Sequence, residues 1–276
     1  MTRHCCATKQ DILLKCCEML SRSSPPSERH INNTNNNNII YYHRAMLFKA
    51  KTVDNLLSYA ANANYDPNKA RTPSNHGGEI GGFLACKILK ILNLRSDDTF
   101  GELGFGRGRF LIRVQLLHQD VTCFGVENDK TRFGLSCVWM EKILDRIAEK
   151  CIWRDANSTV CPHFIFGDFS GSVFWDEHGR EFFRRQGLKL YFNNYNHHML
   201  YASVQTLLEN YLTVYCPAGT IVVSLAEMFL DKDSRPFWEN AEVHDHQQNH
   251  GDVSWSDAGG IISIYVYCRT LHSINM

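Results

Sequence analysis

A glycine-rich turn between a strand pattern and a helix pattern constrains the fold of this chain more than any other feature. The turn reads Glu102-Leu103-Gly104-Phe105-Gly106-Arg107-Gly108-Arg109. An apolar stretch over 99–103 precedes it, and a helical pattern from about 109 to 118 follows it. Glycines in such a turn let the backbone bend sharply and let a ligand approach closely. The segment therefore predicts a ligand site after the first strand of an α/β sheet.

Strand and helix patterns alternate beyond this turn. Strands are predicted over 99–103, 121–127, 163–166, 188–193, 219–229 and 260–267, with helices over 129–150 and 198–215. Such alternation favours a parallel sheet with helices on its faces. No clear helix pattern separates the last two strands, so we expect those two to pair antiparallel as a hairpin.

The first 95 residues have a different pattern. Helices are predicted over 11–20, 39–61 and 83–92, and a Ser/Pro-rich stretch followed by an asparagine run occupies about residues 21–38. We therefore expect a helical N-terminal region over residues 1–95 with a disordered loop at 21–38, and an α/β domain over residues 96–276.

Charge is balanced over the whole chain but not along it. The 276 residues hold 29 Lys plus Arg and 29 Asp plus Glu, which argues against a uniformly basic nucleic-acid binder. Residues 1–100 hold thirteen basic and eight acidic side chains, and residues 101–276 hold sixteen and twenty-one. Either the first part meets a polyanion such as DNA phosphate, or this is ordinary surface variation.

Cysteines and histidines form no clear metal or disulfide pattern. The eleven cysteines are odd in number and include no Cys-x-x-Cys pair, so reduced thiols are expected, with a zinc site on the four N-terminal cysteines as the alternative. His244, His246 and His250 are interpreted as a polar loop, since no further ligands complete a tetrahedral set. No apolar run reaches the ~18–20 residues of a membrane span. A signal-peptide core is also missing, so we expect a soluble, intracellular protein.

Acidic residues lie at the ends of the first three strands. Glu102, just before the glycine turn, would repel a pyrophosphate and attract an ammonium group, which favours S-adenosylmethionine over a nicotinamide dinucleotide. Glu127 can accept hydrogen bonds from both ribose hydroxyls. Asp168 can accept from the adenine amino group, and Phe169 can cover the adenine face. Helix-cap or turn roles remain the alternatives for Glu127 and Asp168.

Two amides and a phenol end the fourth strand. Asn193, Asn194 and Tyr195 can bind an amine and enclose its methylene stem, or they serve only as turn formers. Trp255, ahead of the final strand, either lines an apolar channel for a long side chain or belongs to the core.

In this order and spacing, the motifs resemble the disruptor-of-telomeric-silencing class of histone lysine methyltransferases, and the short chain is similar to its protozoan branch. The resemblance spans roughly Tyr65 to Thr270. The segments that carry it are His76-Gly77-Gly78-Glu79, Glu102-Leu103-Gly104-Phe105-Gly106, Phe124-Gly125-Val126-Glu127, Gly167-Asp168-Phe169, Phe192-Asn193-Asn194-Tyr195, Ile221-Val222-Val223-Ser224 and Ser254-Trp255-Ser256. Each motif is unspecific alone, and their joint spacing is specific.

The resemblance implies a seven-strand class I S-adenosylmethionine-dependent methyltransferase fold, Rossmann-like with its last strand antiparallel. It implies S-adenosylmethionine as the cofactor, bound by Glu79, Glu102, Gly104, Gly106, Gly108, Glu127, Asp168 and Phe169. It implies Asn193, Tyr195 and Trp255 as catalytic residues at a lysine channel. The implied partner is the nucleosome, through a lysine in the globular core of histone three and through DNA phosphate, and the implied location is the nucleus.

Departures from the family pattern leave alternatives open. Glu102 replaces an aspartate, Arg109 stands where the family usually has glutamine, and Ile262 stands where it has a channel tyrosine. A methyltransferase of another protein or of an RNA amine is one alternative, although Asn193-Asn194-Tyr195-Asn196 lacks the proline pair that such enzymes often carry. A non-catalytic chromatin-binding module is the other, and the intact set of acids argues against it.

Overall fold

The computed structural model describes residues 51–61, 80–150, 161–194, 202–229, 234–247 and 260–271. The chain forms two compact units, one from residues 1–70 and 137–161 and one from residues 71–136 and 162–276. None of the helices within these described ranges is both long enough and apolar enough to cross a membrane. The helix and loop predicted over 11–38 lie outside the described residues, and the predicted boundary after residue 95 stays a prediction.

Seven strands form one sheet in the second unit. They are β1 (Thr99–Leu103), β2 (Thr122–Glu127), β3 (His163–Phe166), β4 (Leu188–Phe192), β5 (Ile221–Ser224), β6 (Trp238–Gln247) and β7 (Ile261–Arg269). Their order across the sheet is β3-β2-β1-β4-β5-β7-β6, and β7 runs antiparallel to both of its neighbours. This order, with its one reversed strand, confirms the predicted class I methyltransferase fold.

Helices alternate with the strands as the sequence predicts. They are α1 (residues 51–61), α2 (Gly82–Leu92), α3 (Arg109–Leu117), α4 (Lys130–Lys150) and α5 (Ala202–Tyr215). An additional segment combines Ser172–Phe174, the π-helical Trp175–Gly179 and Arg180–Phe182. The sequence did not predict this π-containing segment, because its regular pieces are too short to show a helical period.

Apolar side chains pack on both faces of the sheet. On one face, Phe100 and Tyr191 belong to a cluster with Leu84 of α2. On the other face, Leu190 belongs to a cluster with Trp175 of the π-containing segment. Strands β1 and β4 are buried along their whole length, as expected for parallel strands that are covered on both sides.

Strand β6 shows that the predicted polar loop at His244 and His246 is wrong. These residues pair with β7, where they lie opposite Ile264 and Ile262. The strand is at the edge of the sheet and most of its side chains are exposed, so its sequence shows no alternation of apolar and polar residues. His250 lies outside the described residues.

Strand β5 is shorter than the predicted 219–229. Its pairing with β7, for example Val222 opposite Tyr267, confirms the antiparallel arrangement expected for the two strands. The predicted hairpin is wrong, however, because β6 lies between these two strands in the chain and pairs with β7 as well. The strand ends at Ser224, because the following backbone groups bond to side chains instead of to a neighbouring strand.

One edge of the sheet gathers the carboxyl ends of the parallel strands. At this edge, Leu103 of β1 lies between Val126 of β2 and Phe192 of β4. The glycine turn that follows β1 therefore sits near the middle of the edge at which open α/β sheets bind ligands.

Candidate functional site

The glycine turn after β1 has the backbone conformation that its sequence predicts. Gly104, Gly106 and Gly108 have φ values of 71°, 61° and 76°, in the left-handed region that glycine adopts most readily. A Cβ atom built on Gly104 or Gly106 meets nothing within 4 Å. The turn therefore presents bare backbone to open space, as the close approach of a ligand requires.

Hydrogen bonds attach this turn to the end of β2. The amides of Gly104 and Phe105 donate to the carbonyl of Val126 over 2.8 and 3.2 Å. The Gly106 amide donates to Oε2 of Glu127 over 2.7 Å. The turn and the acid predicted to bind ribose thus form one connected structure.

Glu127 is buried at the end of β2, and both of its carboxylate oxygens are engaged. Oε1 accepts from the Asp129 amide over 2.9 Å and lies 3.2 Å from Nη2 of Arg132. Oε2 accepts from the Gly106 amide. Because each carboxylate oxygen has two acceptor sites, these three contacts fix the orientation of the group and leave one site, on Oε2, for a hydroxyl donor.

Glu102 lies on β1 beneath the turn, with its side chain about 5% exposed. It pairs in register with Tyr191 of β4. Burial raises the pKa of Tyr191 and of Cys123, and the negative charge of Glu102 raises both further. Both neighbours therefore keep their protons near neutral pH.

Asp168 follows β3 as an exposed residue. Its Oδ1 accepts from the Ser170 amide over 2.9 Å and from the Ser170 hydroxyl over 2.7 Å. The amide of Gly167 donates to the carbonyl of Glu127 over 3.1 Å, which brings this turn beside the end of β2. The turn role considered from the sequence is thus present, and the exposed carboxylate is also accessible to a ligand.

Phe169 is half-buried between the turn and the core. Its ring meets Phe192 edge to face, with centroids 5.8 Å apart. Its carbonyl accepts from Nε1 of Trp175 over 2.7 Å. These contacts hold the aromatic side chain beside Asp168 in a fixed position.

The two asparagines after β4 have different surroundings. Asn193 is half-buried. Asn194 is 1% exposed, and its Oδ1 accepts from the amides of Leu225 and Ala226 over 3.0 and 2.8 Å. Its Nδ2 donates to the Ala226 carbonyl over 3.1 Å. Asn194 therefore ties the end of β4 to the chain that leaves β5.

Residues 225–229, which we call the β5 loop, are held along their length by side chains. Asn194 holds its first two amides. Gln205 Nε2 then donates to the Glu227 carbonyl over 3.0 Å. Tyr267 Oη accepts from the Met228 amide over 2.9 Å, and Glu209 Oε1 accepts from the Phe229 amide over 2.7 Å. Phe229 keeps a φ of 56°, which is rare for a bulky residue. The loop beside Asn193 is therefore rigidly positioned.

Three residues predicted for the site, Glu79, Tyr195 and Trp255, lie outside the described residues. The other predicted residues occur along one edge of the sheet: Glu102, Gly104, Gly106, Gly108, Glu127, Asp168, Phe169 and Asn193. Ile262, where the resembling family has a channel tyrosine, is fully buried in the core.

Two residues that organise this edge, Arg132 and Tyr191, were missed from the sequence, and a third, Asn194, was predicted to bind an amine or to form a turn. Arg132 pairs with Glu127, Asn194 holds the β5 loop, and Tyr191 adjoins Glu102. The tandem asparagines were the one available signal for Asn194. Tyr191 was hidden because an aromatic residue in an apolar strand reads as core.

The chemistry of this edge suits a cationic, hydroxyl-bearing ligand. Carboxylates of Glu102, Glu127 and Asp168 end three adjacent strands around bare backbone, and carboxylates accept hydrogen bonds from ammonium, hydroxyl and amino groups. No group of three or more metal-ligating side chains is found among the residues that the structure describes.

Comparison with known proteins finds only weak structural similarity. No family model and no curated protein matches the chain. Solved structures that it resembles include TrmN from Thermus thermophilus (13% identity, TM-score 0.46, 67% of this chain and 48% of that chain). Another is an RNA methyltransferase from Salinibacter ruber in complex with S-adenosyl-L-homocysteine (16% identity, TM-score 0.45, 72% of this chain and 97% of that chain). A third is TrmK of M. capricolum with S-adenosyl-homocysteine (7% identity, TM-score 0.42, 72% of this chain and 73% of that chain). This chain thus spans about half the length of TrmN. Such weak similarity carries no argument about this chain, and the resemblance to the histone lysine methyltransferases stays a prediction.

Proposed function

We propose that this chain is an S-adenosylmethionine-dependent methyltransferase. The observation that carries the proposal is the set of carboxylates, Glu102, Glu127 and Asp168, at the ends of three adjacent strands around an open glycine turn. Such an edge favours a ligand with ammonium and hydroxyl donors and disfavours a pyrophosphate. When bound, the cofactor supplies a methyl group attached to a positively charged sulfur.

Each of these acids has a proposed task toward the cofactor. Glu102 accepts from the ammonium group. Glu127 accepts from a ribose hydroxyl at the Oε2 site that its contact to Gly106 leaves available, since Asp129 and Arg132 occupy Oε1. Asp168 accepts from the adenine amino group, and Phe169 covers the adenine face. Gly104 and Gly106 allow the close approach.

We infer that the methyl acceptor is a lysine amine in the globular core of nucleosomal histone three. The joint spacing of the motifs supports this inference, and so does Glu227, an exposed carboxylate on the β5 loop. A carboxylate there attracts an ammonium-bearing side chain and repels nucleic-acid phosphate. The excess of basic residues in the first hundred positions is proposed to contact nucleosomal DNA.

The amine must lose a proton before it attacks the methyl group. A free lysine has a pKa of about 10.4, and apolar surroundings favour its neutral form. Tyr195 and Trp255 are the proposed walls of the channel.

Asn193 is proposed to orient the amine, so Asn193→Ala should lower kcat about tenfold without changing the Kd of the cofactor. The control, Asn240→Ala on the exposed edge strand, should change neither.

The first experiment combines binding and transfer. Calorimetry measures the affinity of the full chain for S-adenosylmethionine, and labelled cofactor is then offered with nucleosomes, free core histones and structured RNA. We expect binding, with label on a core histone lysine in nucleosomes.

Asp168→Ala should weaken cofactor binding about tenfold, since it removes a charged acceptor, whereas Glu239→Ala on β6 should leave it unchanged.

The outcomes separate the two parts of the proposal. Absence of cofactor binding by a folded chain would overturn the methyltransferase assignment. Binding with label on RNA alone would keep that assignment and overturn the lysine acceptor. Equal labelling of free histones and nucleosomes would contradict the proposed contact with nucleosomal DNA.

A further inference from the structure

Tyr191 is a buried polar residue beneath the cofactor site that the proposed mechanism does not use. Its side chain is 0% exposed, and its hydroxyl has no hydrogen-bond partner among the described residues. Buried hydroxyl groups in native proteins are nearly always hydrogen-bonded, because leaving one without a partner costs free energy. An apolar phenylalanine would fill the same space without this cost, so the hydroxyl needs an explanation.

The position of Tyr191 connects it to Glu102. The two residues are in register on the adjacent parallel strands β4 and β1. Paired residues of adjacent strands project from the same face of the sheet. The Tyr191 ring lies edge to face against Phe110 of α3, with centroids 5.1 Å apart, so the ring is held in place.

Glu102 is paired with one residue on each neighbouring strand, and of these two only Tyr191 has a side chain, because the other is Gly125. Glu102 pairs with Gly125 of β2 on its other side. A Cβ atom at Gly125 would lie 2.5 Å from Leu111 and 2.6 Å from Phe105. On that side the acid therefore adjoins a glycine closed in by apolar groups, and on the β4 side it adjoins a phenol.

We propose that Tyr191 is a positioning residue whose hydroxyl donates to the Glu102 carboxylate when the cofactor's ammonium group binds there. The inference rests on the proposed function, in which Glu102 accepts from that ammonium group. A carboxylate that receives a hydrogen bond from a fixed phenol keeps one orientation, so the other acceptor sites face the ligand. Tyr191 keeps its proton because burial and the charge of Glu102 both raise its pKa.

Tyr191→Phe tests this role with two ligands. S-adenosylmethionine carries the ammonium group, and 5′-methylthioadenosine has the same adenosine and sulfur without the amino-acid part. We expect calorimetry to show about tenfold weaker binding of S-adenosylmethionine, equal to a charge-assisted hydrogen bond. Binding of 5′-methylthioadenosine should be unchanged. The thermal midpoint should stay equal or rise, because the substitution removes a buried hydroxyl.

Two further variants complete the test. Tyr211→Phe, whose ring stacks on Trp175 on the other face of the sheet, is the matched control and should change neither affinity. In a Glu102→Leu background, Tyr191→Phe should cause no further loss, because leucine offers the phenol no acceptor.

The results distinguish this inference from the proposed function. If Tyr191→Phe binds both ligands as the wild type does, or weakens both equally, the positioning role is wrong and the methyltransferase proposal stands. A loss that persists in full in the Glu102→Leu background also overturns the coupling. If the folded wild-type chain binds neither ligand, the proposed function itself fails.

Discussion

Two glycines with the same backbone conformation have different surroundings at opposite ends of the parallel strands. Gly106 in the turn after β1 has a φ of 61°, and Gly187 before β4 has a φ of 67°. A Cβ atom on Gly106 meets nothing, whereas one on Gly187 would lie 2.9 Å from Oδ1 of Asp98. Asp98 forms a largely buried ion pair with Lys189 over 2.7 Å.

The pair of substitutions separates ligand binding from stability. Gly106→Ala should cost about 1 kcal/mol of folding free energy, from left-handed strain alone. It should also weaken cofactor binding, because the new methyl group occupies the open space beside the turn where the cofactor is proposed to bind. Gly187→Ala should cost about 2 kcal/mol or more with unchanged cofactor affinity, since it adds the collision with Asp98. Urea unfolding and calorimetry measure the two quantities, and weakened binding in Gly187→Ala alone would contradict the location of the site.

Tyr267 should make stability depend on alkaline pH. Burial raises its pKa from the usual value of about 10 to about 12, although its hydrogen bond from the Met228 amide acts in the opposite direction. The unfolded chain releases this proton near pH 10 and the folded chain keeps it, so stability falls as pH rises from about 10 toward about 12.

Tyr267→Phe checks the sign of this effect. At about pH 8 it should lose about 1–3 kcal/mol, because the Met228 amide no longer has its acceptor. Between about pH 8 and about pH 10.5, however, its unfolding free energy should fall less steeply than that of the wild type. Urea unfolding at both pH values gives the two slopes, and parallel slopes would exclude Tyr267 as the titrating group.

At the scale of single residues, the sequence predicted those whose role follows from their own type and their position along the chain. Glu102, Glu127 and Asp168 were recognisable because each is an acid at the end of a strand pattern. The roles of Asn194 and Tyr191 were not predicted, because they depend on partners from other parts of the sheet. Hydrogen-bond partners 31 residues away, such as Leu225 for Asn194, leave no local signal.

Among the elements, the β5 loop shows why an apolar run is insufficient to predict a strand. Leu225, Met228 and Phe229 extend the apolar pattern of β5, yet their amides bond to Asn194, Tyr267 and Glu209. The side chains that end the strand come from three distant segments. β6 presents the opposite case, a ten-residue strand without apolar alternation.

Asn194→Ala should loosen the β5 loop. The substitution leaves the amides of Leu225 and Ala226 without their acceptor, and each buried unsatisfied group costs about 1–3 kcal/mol. We expect stability to fall by about 2–3 kcal/mol and turnover to fall while the cofactor Kd stays constant.

The conservative variant and a surface control sharpen this prediction. Asn194→Asp keeps an acceptor for both amides, but it buries a negative charge and sets a carboxylate oxygen against the Ala226 carbonyl, so at neutral pH it should be no more stable than Asn194→Ala. Asn240→Ala on exposed β6 should behave as the wild type. Full turnover by Asn194→Ala at a temperature where it is folded would show that the loop does not position the acceptor.

Across the whole molecule, the central strands were predictable because buried parallel strands carry strong apolar runs. β1 and β4, at the centre of the sheet, have five residues each that are all buried. Predictability decreases toward the edge formed by β6, where solvent replaces packing and the sequence follows no core pattern. The confirmed fold class therefore rests on the centre of the sheet, and the seventh strand had to be found in the structure.

Hydrogen–deuterium exchange tests this architecture. Amides of β1 and β4 should exchange slowest, because they are buried and paired on both sides. Amides over 239–247 in β6 should exchange faster than those, since this strand has one neighbour and exposed side chains, but slower than an unstructured peptide, since it pairs with β7. Mass spectrometry of peptic fragments gives the comparison. Exchange over 239–247 at the unstructured rate would remove β6 from the sheet, and exchange as slow as that of β4 would mean that another segment covers this edge.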